Sequence, residues 1–211
     1  MDIHAPERPI HSLKDFGVHI AVVTVGILIA LSLEGLRETI HDHHLVVETR
    51  EHVRQEMGHD REQADLEYKR VSLYHEQLKR IVEGIPALEE QHPDQVTAQL
   101  DTIHNPGYIL SAESWTAALS TGVLAHMPTE EVSSYAYAAG AIKKYSDLQH
   151  DARIQQVRTK AYFTSHPTMN AGEIAEATER LIIFYDAEET LAFYCLQMEH
   201  DIDIALKNAR G

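Results

Sequence analysis

Residues 16–33, FGVHIAVVTVGILIALSL, decide how this chain is read. The stretch holds no charged side chain, and Asp15 and Glu34 bound it. Eighteen residues at about 1.5 Å each make a helix of roughly 27 Å, just under a hydrocarbon core of about 30 Å. Leu36 and Ile40 prolong the apolar surface past Glu34, whose side chain can snorkel to the interface. The run is apolar on all sides, as a helix facing lipid should be. His19, one turn from the start, falls near the interface, where a neutral imidazole is tolerated. The stretch therefore predicts a transmembrane anchor over residues 13–36. Two other readings stand beside it: a core helix of a soluble bundle, and a cleaved signal peptide. Ala30-Leu31-Ser32 fits a small-x-small cleavage site, but the helical pattern runs straight through it.

Working outward, residues 1–12 carry Pro6 and Pro9 and predict a short irregular tail. Ser12-Leu13-Lys14-Asp15 is a capping-box-like helix start. Downstream, no proline occurs until Pro86. Apolar positions continue at the 3-4 spacing of coiled coils: Val46, Val53, Met57, Ala64, Val71, Tyr74, Leu78, Ile81, Ile85. Arg50, Asp60 and Glu67 interrupt this stripe, and Gly58 costs about 1 kcal/mol against Ala. The pattern predicts one helix from about residue 13 to 83, stopped at Gly84-Ile85-Pro86.

Beyond it, Pro93 opens a short helix to about Thr102, and Asn105-Pro106-Gly107 marks a turn. Ser111 caps a helix that carries Trp115, Ala118, Leu119 and Gly122 and ends near His126. Pro128-Thr129-Glu130-Glu131 starts the next, with acids in its first turn. It shows Val132, Tyr135, Ala139, Ile142, Tyr145, Val157 and Ala161, and ends before Pro167. Asn170-x-x-Glu173 begins the last helix, whose stripe is Ile174, Ala177, Leu181, Phe184, Leu191, Cys195, Met198, Ile202, Ala205. Glu188 takes a place in that stripe where a hydrophobe is expected. No strand alternation or repeat survives this pass. The expected fold is all-α: the anchor runs on into a long helix, packed into an antiparallel helical bundle over residues 37–211.

Of 211 residues, 33 are acidic and 18 are lysine or arginine, for a formal charge of −15. After Leu36, 29 acids face 16 bases. Such a surface repels nucleic acid, so no nucleic-acid partner is expected. The single cysteine, Cys195, rules out a disulfide scaffold. The 15 histidines, if all protonated, would bring the charge to zero, so surface charge varies steeply between about pH 7 and 5.

Ile10-His11-Ser12-Leu13-Lys14-Asp15-Phe16-x-x-His19, with Gly26-Ile27-Leu28-Ile29-Ala30-Leu31-Ser32-Leu33-Glu34-Gly35-Leu36, resembles the anchor of a family of uncharacterised bacterial single-pass membrane proteins. The histidine-rich juncture His41-Asp42-His43-His44, and the later Ser114-Trp115-x-Ala117-Ala118 and Met127-Pro128-x-Glu130-Glu131, are similar too. Here Leu13 stands where tryptophan is common. The resemblance implies a bacterial inner-membrane protein and brings no catalytic residues. Arg8 and Lys14 before the span balance Arg37 and Arg50 after it. A short tail before a first span favours the cytoplasm, which places the C-terminal domain in the periplasm.

His41 and His44 lie one turn apart on a helix, and Glu38 precedes His41 at E-x-x-H spacing. Two imidazoles and a carboxylate can hold a divalent ion; a solvated interface segment is the plainer reading. Glu56-x-x-His59 has the spacing of di-iron bundles, and Glu38/His41, Glu89/His92, Asp101/His104 and Asp147/His150 share it, but Glu38/His41 falls at the membrane and Glu89/His92 in a loop, so they do not converge. Asp60, Glu67 and Glu188 either form a buried polar layer, with Arg50, Arg153, Arg158 or a histidine as partner, or sit at the edge of a drifting stripe. Trp115, Tyr108, Tyr135 and Tyr137 read as core before they read as a pocket lining. Within the span, Gly17, Ala21, Thr24 and Gly35 share a face, and Gly26 and Ala30 lie on the opposite one. Small residues let membrane helices approach closely, so a homo-oligomer or a membrane partner protein is expected besides the lipid bilayer. No nucleophile elbow, phosphate loop, dinucleotide fingerprint or H-E-x-x-H occurs. The expected role is interaction, sensing or scaffolding without a cofactor. The alternative is a metal-binding protein or a metal-dependent bundle enzyme using the histidine-rich juncture.

Overall fold

The computed structural model describes residues 13–84, 93–103, 107 and 110–209. The expected tail, the Ser12 cap, Pro86, Glu89, His92 and Tyr108 lie outside them. The described residues form helices and connections, with no strand among them: α1 (Leu13–Glu83), α2 (Pro93–Thr102), α3 (Glu113–Thr121), a 3-10 turn (Val123–His126), α4 (Thr129–Ser165) and α5 (Ala171–Asn208). The chain falls into two compact units, Met1–Val47 and Glu48–Gly211.

The first unit contains the N-terminal part of α1. Near its start α1 holds an 18-residue window of mean hydropathy 2.4, with 0% of that window buried. By length and composition this helix can cross a membrane. Ser32 and Thr39 return their hydroxyls to the Leu28 and Gly35 carbonyls one turn back, which hides those polar groups from an apolar surrounding.

The second unit is the bundle. α1 ends where Gly84 N–H donates to the carbonyls of both Arg80 and Ile81. α5 begins with a full capping box: the Asn170 side chain accepts from Gly172 N and Glu173 N, and Glu173 Oε2 accepts from Asn170 N at 2.8 Å. Along α5 the buried positions are Ala177, Leu181, Phe184, Glu188, Leu191, Cys195, Met198, Ile202 and Ala205, an unbroken 3-4 alternation. α1 answers with Val53, Met57, Asp60, Ala64, Glu67, Val71, Leu78 and Ile81. This spacing keeps one seam of each helix turned inward through the bundle. Each fully buried Leu, Phe or Met side chain contributes about 1.5–3 kcal/mol.

On α4 the seam departs from the sequence expectation. It runs through Tyr145, Ala152, Thr159 and Phe163, while Val157 is exposed. Extending the 3-4 alternation from Ile142 and Tyr145 passes through Gln149 and Gln156, so hydrophobicity alone loses the stripe there.

Contacts fix the directions. Glu131, near the start of α4, meets Arg50 of α1, and Tyr145 meets Glu67, so α1 and α4 run parallel. α5 runs antiparallel to both: Cys195 lies against Ala64 and Asp203 against Arg61, and α5 turns straight back from α4. The parallel pair is possible because a long connection carrying α2 and α3 returns the chain. α2 ties to α4 through the Asp101–Lys160 ion pair and the Gln156 amide on the Ile103 carbonyl. At that end Leu78, Ile81, Leu100, Phe163, Leu181 and Phe184 pack as one cluster. Gly107 has φ +65°, a left-handed conformation that favours glycine, and a Cβ there would also push aside the end of the Gln149 side chain, 2.9 Å away.

The expected single helix from Ser111 to His126 is not one. α3 stops at Gly122, whose φ of 74° is left-handed, and the next turn is 3-10. Ser111 does not cap it; the N-cap position is Ala112, with no side-chain bond of its own.

Candidate functional site

The chemistry of the bundle lies on its seams, where carboxylates occupy hydrophobic positions. Glu67 is 0% exposed. Its Oε1 accepts from the Tyr145 hydroxyl at 2.6 Å and the Gln149 amide at 2.8 Å, and its Oε2 from Arg70 Nε at 2.9 Å. Arg70 Nη2 adds a second bond to Oε1. The cation comes from the next turn of α1 rather than from Arg50, Arg153, Arg158 or a histidine. Burial and the Glu67 charge hold the Tyr145 phenol far above its ordinary range, so it stays a donor. Beside them, burial followed by the charges of Glu199 and Glu67 pushes the Cys195 thiol up to about 12. Such a thiol is inert as a nucleophile or metal ligand.

Glu188 is 1% exposed and Asp60 3%. By register from the Ala64–Cys195 contact, Glu188 falls one turn beyond Glu67. Asp60 lies seven residues before Glu67, about 10 Å along the helix axis. The three acids are thus all buried but occupy different levels, and they do not form one layer.

Around Asp60 a second polar group has formed. Glu56, one turn earlier on α1, accepts from the Ser111 hydroxyl at 2.6 Å, from Glu113 N at 3.0 Å and from Ser114 N at 2.8 Å. A carboxylate of α1 thereby caps the N-terminus of α3, satisfying two orphan amides and meeting the positive end of the helix. The Ser111 backbone N–H also acts on Asp60, favouring its charged form. Asp60 Oδ2 is shielded from solvent and has no hydrogen-bond partner among the described residues. Burial pushes the Asp60 carboxyl up to about 6; Glu56 raises it further, while Ser111 N–H and His59 pull it down. Glu56 is engaged with α3, so the Glu56/His59 pair is not assembled as a di-iron half-site.

A third group joins α1 to the start of α4. Arg50 grips the buried Glu131 with both arms, Nε to Oε1 at 2.6 Å and Nη2 to Oε2 at 2.8 Å. The Tyr135 hydroxyl also reaches Glu131, at 3.3 Å. Tyr135 is buried beside Trp115, ring centroids 6.2 Å apart, whereas Tyr137 is exposed. Trp115 and Tyr135 are core. An open groove flanks α3, lined by Leu110, Ala117, Ile142, Lys143 and Asp147, with the last two paired to each other.

Glu38, His41 and His44 are all exposed on α1. The His43 and His44 rings meet edge-on at 6.4 Å. Among the described residues no group of three or more His, Cys, Asp or Glu side chains converges to hold a metal ion. Of the remaining acid-x-x-His acids, Asp101 pairs with Lys160 and Asp147 with Lys143. Gly17, Ala21, Thr24, Gly26, Ala30 and Gly35 are likewise exposed, and the three glycines have open space around them.

No protein-family model, curated protein or solved structure matches the chain. Two features escaped sequence reading. Arg50 and Glu131 were visible only as a stripe interruption and a first-turn acid. Glu56 carried no signal of a cap, because the helix it caps lies 57 residues downstream.

Proposed function

We propose that this chain is a single-pass bacterial inner-membrane protein whose helical bundle faces the periplasm and serves an interaction, sensing or scaffolding role. One observation carries the reading: none of the apolar window of α1 is buried. An 18-residue uncharged, mostly apolar window left in water would cost more than a marginal domain can bear, and lipid is the surrounding that removes the cost. The resemblance of the anchor supports the inner membrane. The exposed small residues Gly17, Ala21, Thr24, Gly26, Ala30 and Gly35 support self-association or a membrane partner. Glu56, Glu67 and Glu131 are held in internal bonds that join the helices, which favours a scaffold over a catalyst.

Membrane fractionation with an alkaline wash tests the anchor. The chain should stay in the pellet; extraction into the wash would end the claim. A reporter enzyme active only in the periplasm, fused after Gly211, should be active. The metal reading meets its own test in elemental analysis of detergent-purified protein: stoichiometric iron, zinc or copper that is lost when His41 and His44 are replaced would overturn the scaffold role.

A further inference from the structure

We propose that Glu56 and Asp60 form a proton-operated latch that holds the N-terminus of α3 on α1, closed when Asp60 is protonated and loosened when both carboxyls are charged. The geometry comes first. The two acids stand one turn apart on one face of α1, and both face the same four-residue stretch, 111–114. Glu56 takes the Ser111 hydroxyl and the Glu113 and Ser114 amides, and the Ser111 amide acts on Asp60. Asp60 is buried with one oxygen unpartnered among the described residues. A charged carboxylate with an unsatisfied buried oxygen, one turn from a second carboxylate, is the costly state of this group. Releasing α3 would let water reach it.

The charges acting on Asp60 give the direction. From α1 they are Glu56 and His59; among the described residues the lead-in to α3 brings the Ser111 amide. Read along the seams from Arg50–Glu131 and Ala64–Cys195, α4 and α5 bring Ala138, Ile142, Met198 and Ile202 to this level, all apolar and buried. Arg61, Glu199 and Asp203 stand near this level but pair among themselves. Glu113 points its amide at Glu56, and Lys143 is held by Asp147. No described cation offsets the pair from across the bundle. The folded carboxyl therefore holds its proton up to about pH 6, against an ordinary value of 3.8. An acid whose value is raised in the closed state favours that state at low pH. The preference fades as pH rises through about 6.

If the released carboxyl returns to its ordinary value, the open fraction of α3 rises about tenfold between pH 5 and pH 8. The chain supplies its own reporter, because Trp115 is its single tryptophan and sits on α3, buried. The experiment uses the full-length chain in detergent micelles. It measures acrylamide quenching of Trp115, and exchange of the Glu113 and Ser114 amides corrected for intrinsic pH dependence. Wild type should show quenching and exchange rising from pH 5 to 8. Asp60→Asn should be flat over that range. Glu56→Gln should be open at every pH, while His59→Gln should keep the slope. A flat wild-type profile, a slope that survives in Asp60→Asn, or a slope abolished by His59→Gln would overturn the latch. None of these outcomes depends on whether the first unit lies in a membrane.

Discussion

Replacing Glu67 with alanine removes the acceptor at the centre of the bundle. The change strands the Tyr145 hydroxyl and the Gln149 amide, both now aimed at a void, and takes the counter-charge from Arg70, whose side chain is 13% exposed. Each hydrogen bond to a charged group contributes about 1.5–3 kcal/mol, and the bonds share one acceptor, so they do not add. Breaking a buried ion pair by removing one member costs about 3–5 kcal/mol. For a domain of this size it corresponds to a fall in Tm of roughly 6–20 °C. The assay is urea or thermal unfolding of the full-length chain in detergent, followed by Trp115 emission. Tyr145→Phe alone should cost about 1.5–3 kcal/mol, and in a Glu67→Met background it should cost almost nothing. That non-additivity is the sharper test, since loss of packing alone would leave Tyr145→Phe equally costly in both backgrounds. Glu67→Ala within about 1 kcal/mol of wild type, or additive single changes, would refute the reasoning.

Arg50→Ala should destabilise by about 1–3 kcal/mol, less than Glu67→Ala because Arg50 is a third exposed; Arg50→Lys should recover only part, since it lacks the fork that meets both Glu131 oxygens. Thermal unfolding reads both. Asn170→Ala removes the cap of α5 and should cost about 1 kcal/mol by the same measurement. The Cys195 thiol, buried and pushed up to about 12, should resist a disulfide reagent at pH 8 in the folded chain and react within minutes in urea.

The long helices were legible because their signal is periodic. Ala177 through Ala205 on α5 and Val53 through Ile81 on α1 repeat at 3-4 spacing, and every turn restates the register. Asn170 and Glu173 were legible as a cap because both partners lie within four residues. Legibility ended where a position is decided by something distant. Val157 looks like core by type, but the seam passes through Gln149 and Thr159, which polarity hides. Gly122 looked tolerable inside a helix, yet its left-handed conformation ends α3. Polar residues in the stripes could be read as anomalies, but not their partners: Glu67 is matched by Arg70 from its own helix and by α4 residues 78 and 82 positions away.

The parallel course of α1 and α4 also bears on synthesis. A ribosome makes about 5–20 residues per second, so Glu67 waits roughly 4–16 s before Gln149, 82 residues later, exists to meet it. Arg61 waits longer, since Asp203 follows it by 142 residues. Through that interval the inner seam of α1 is bare. Asp60 and Glu67 then break its apolar stripe with charge, which discourages the nascent helix from pairing with another chain. The same acids that complicate the finished core keep the unfinished one apart from its neighbours.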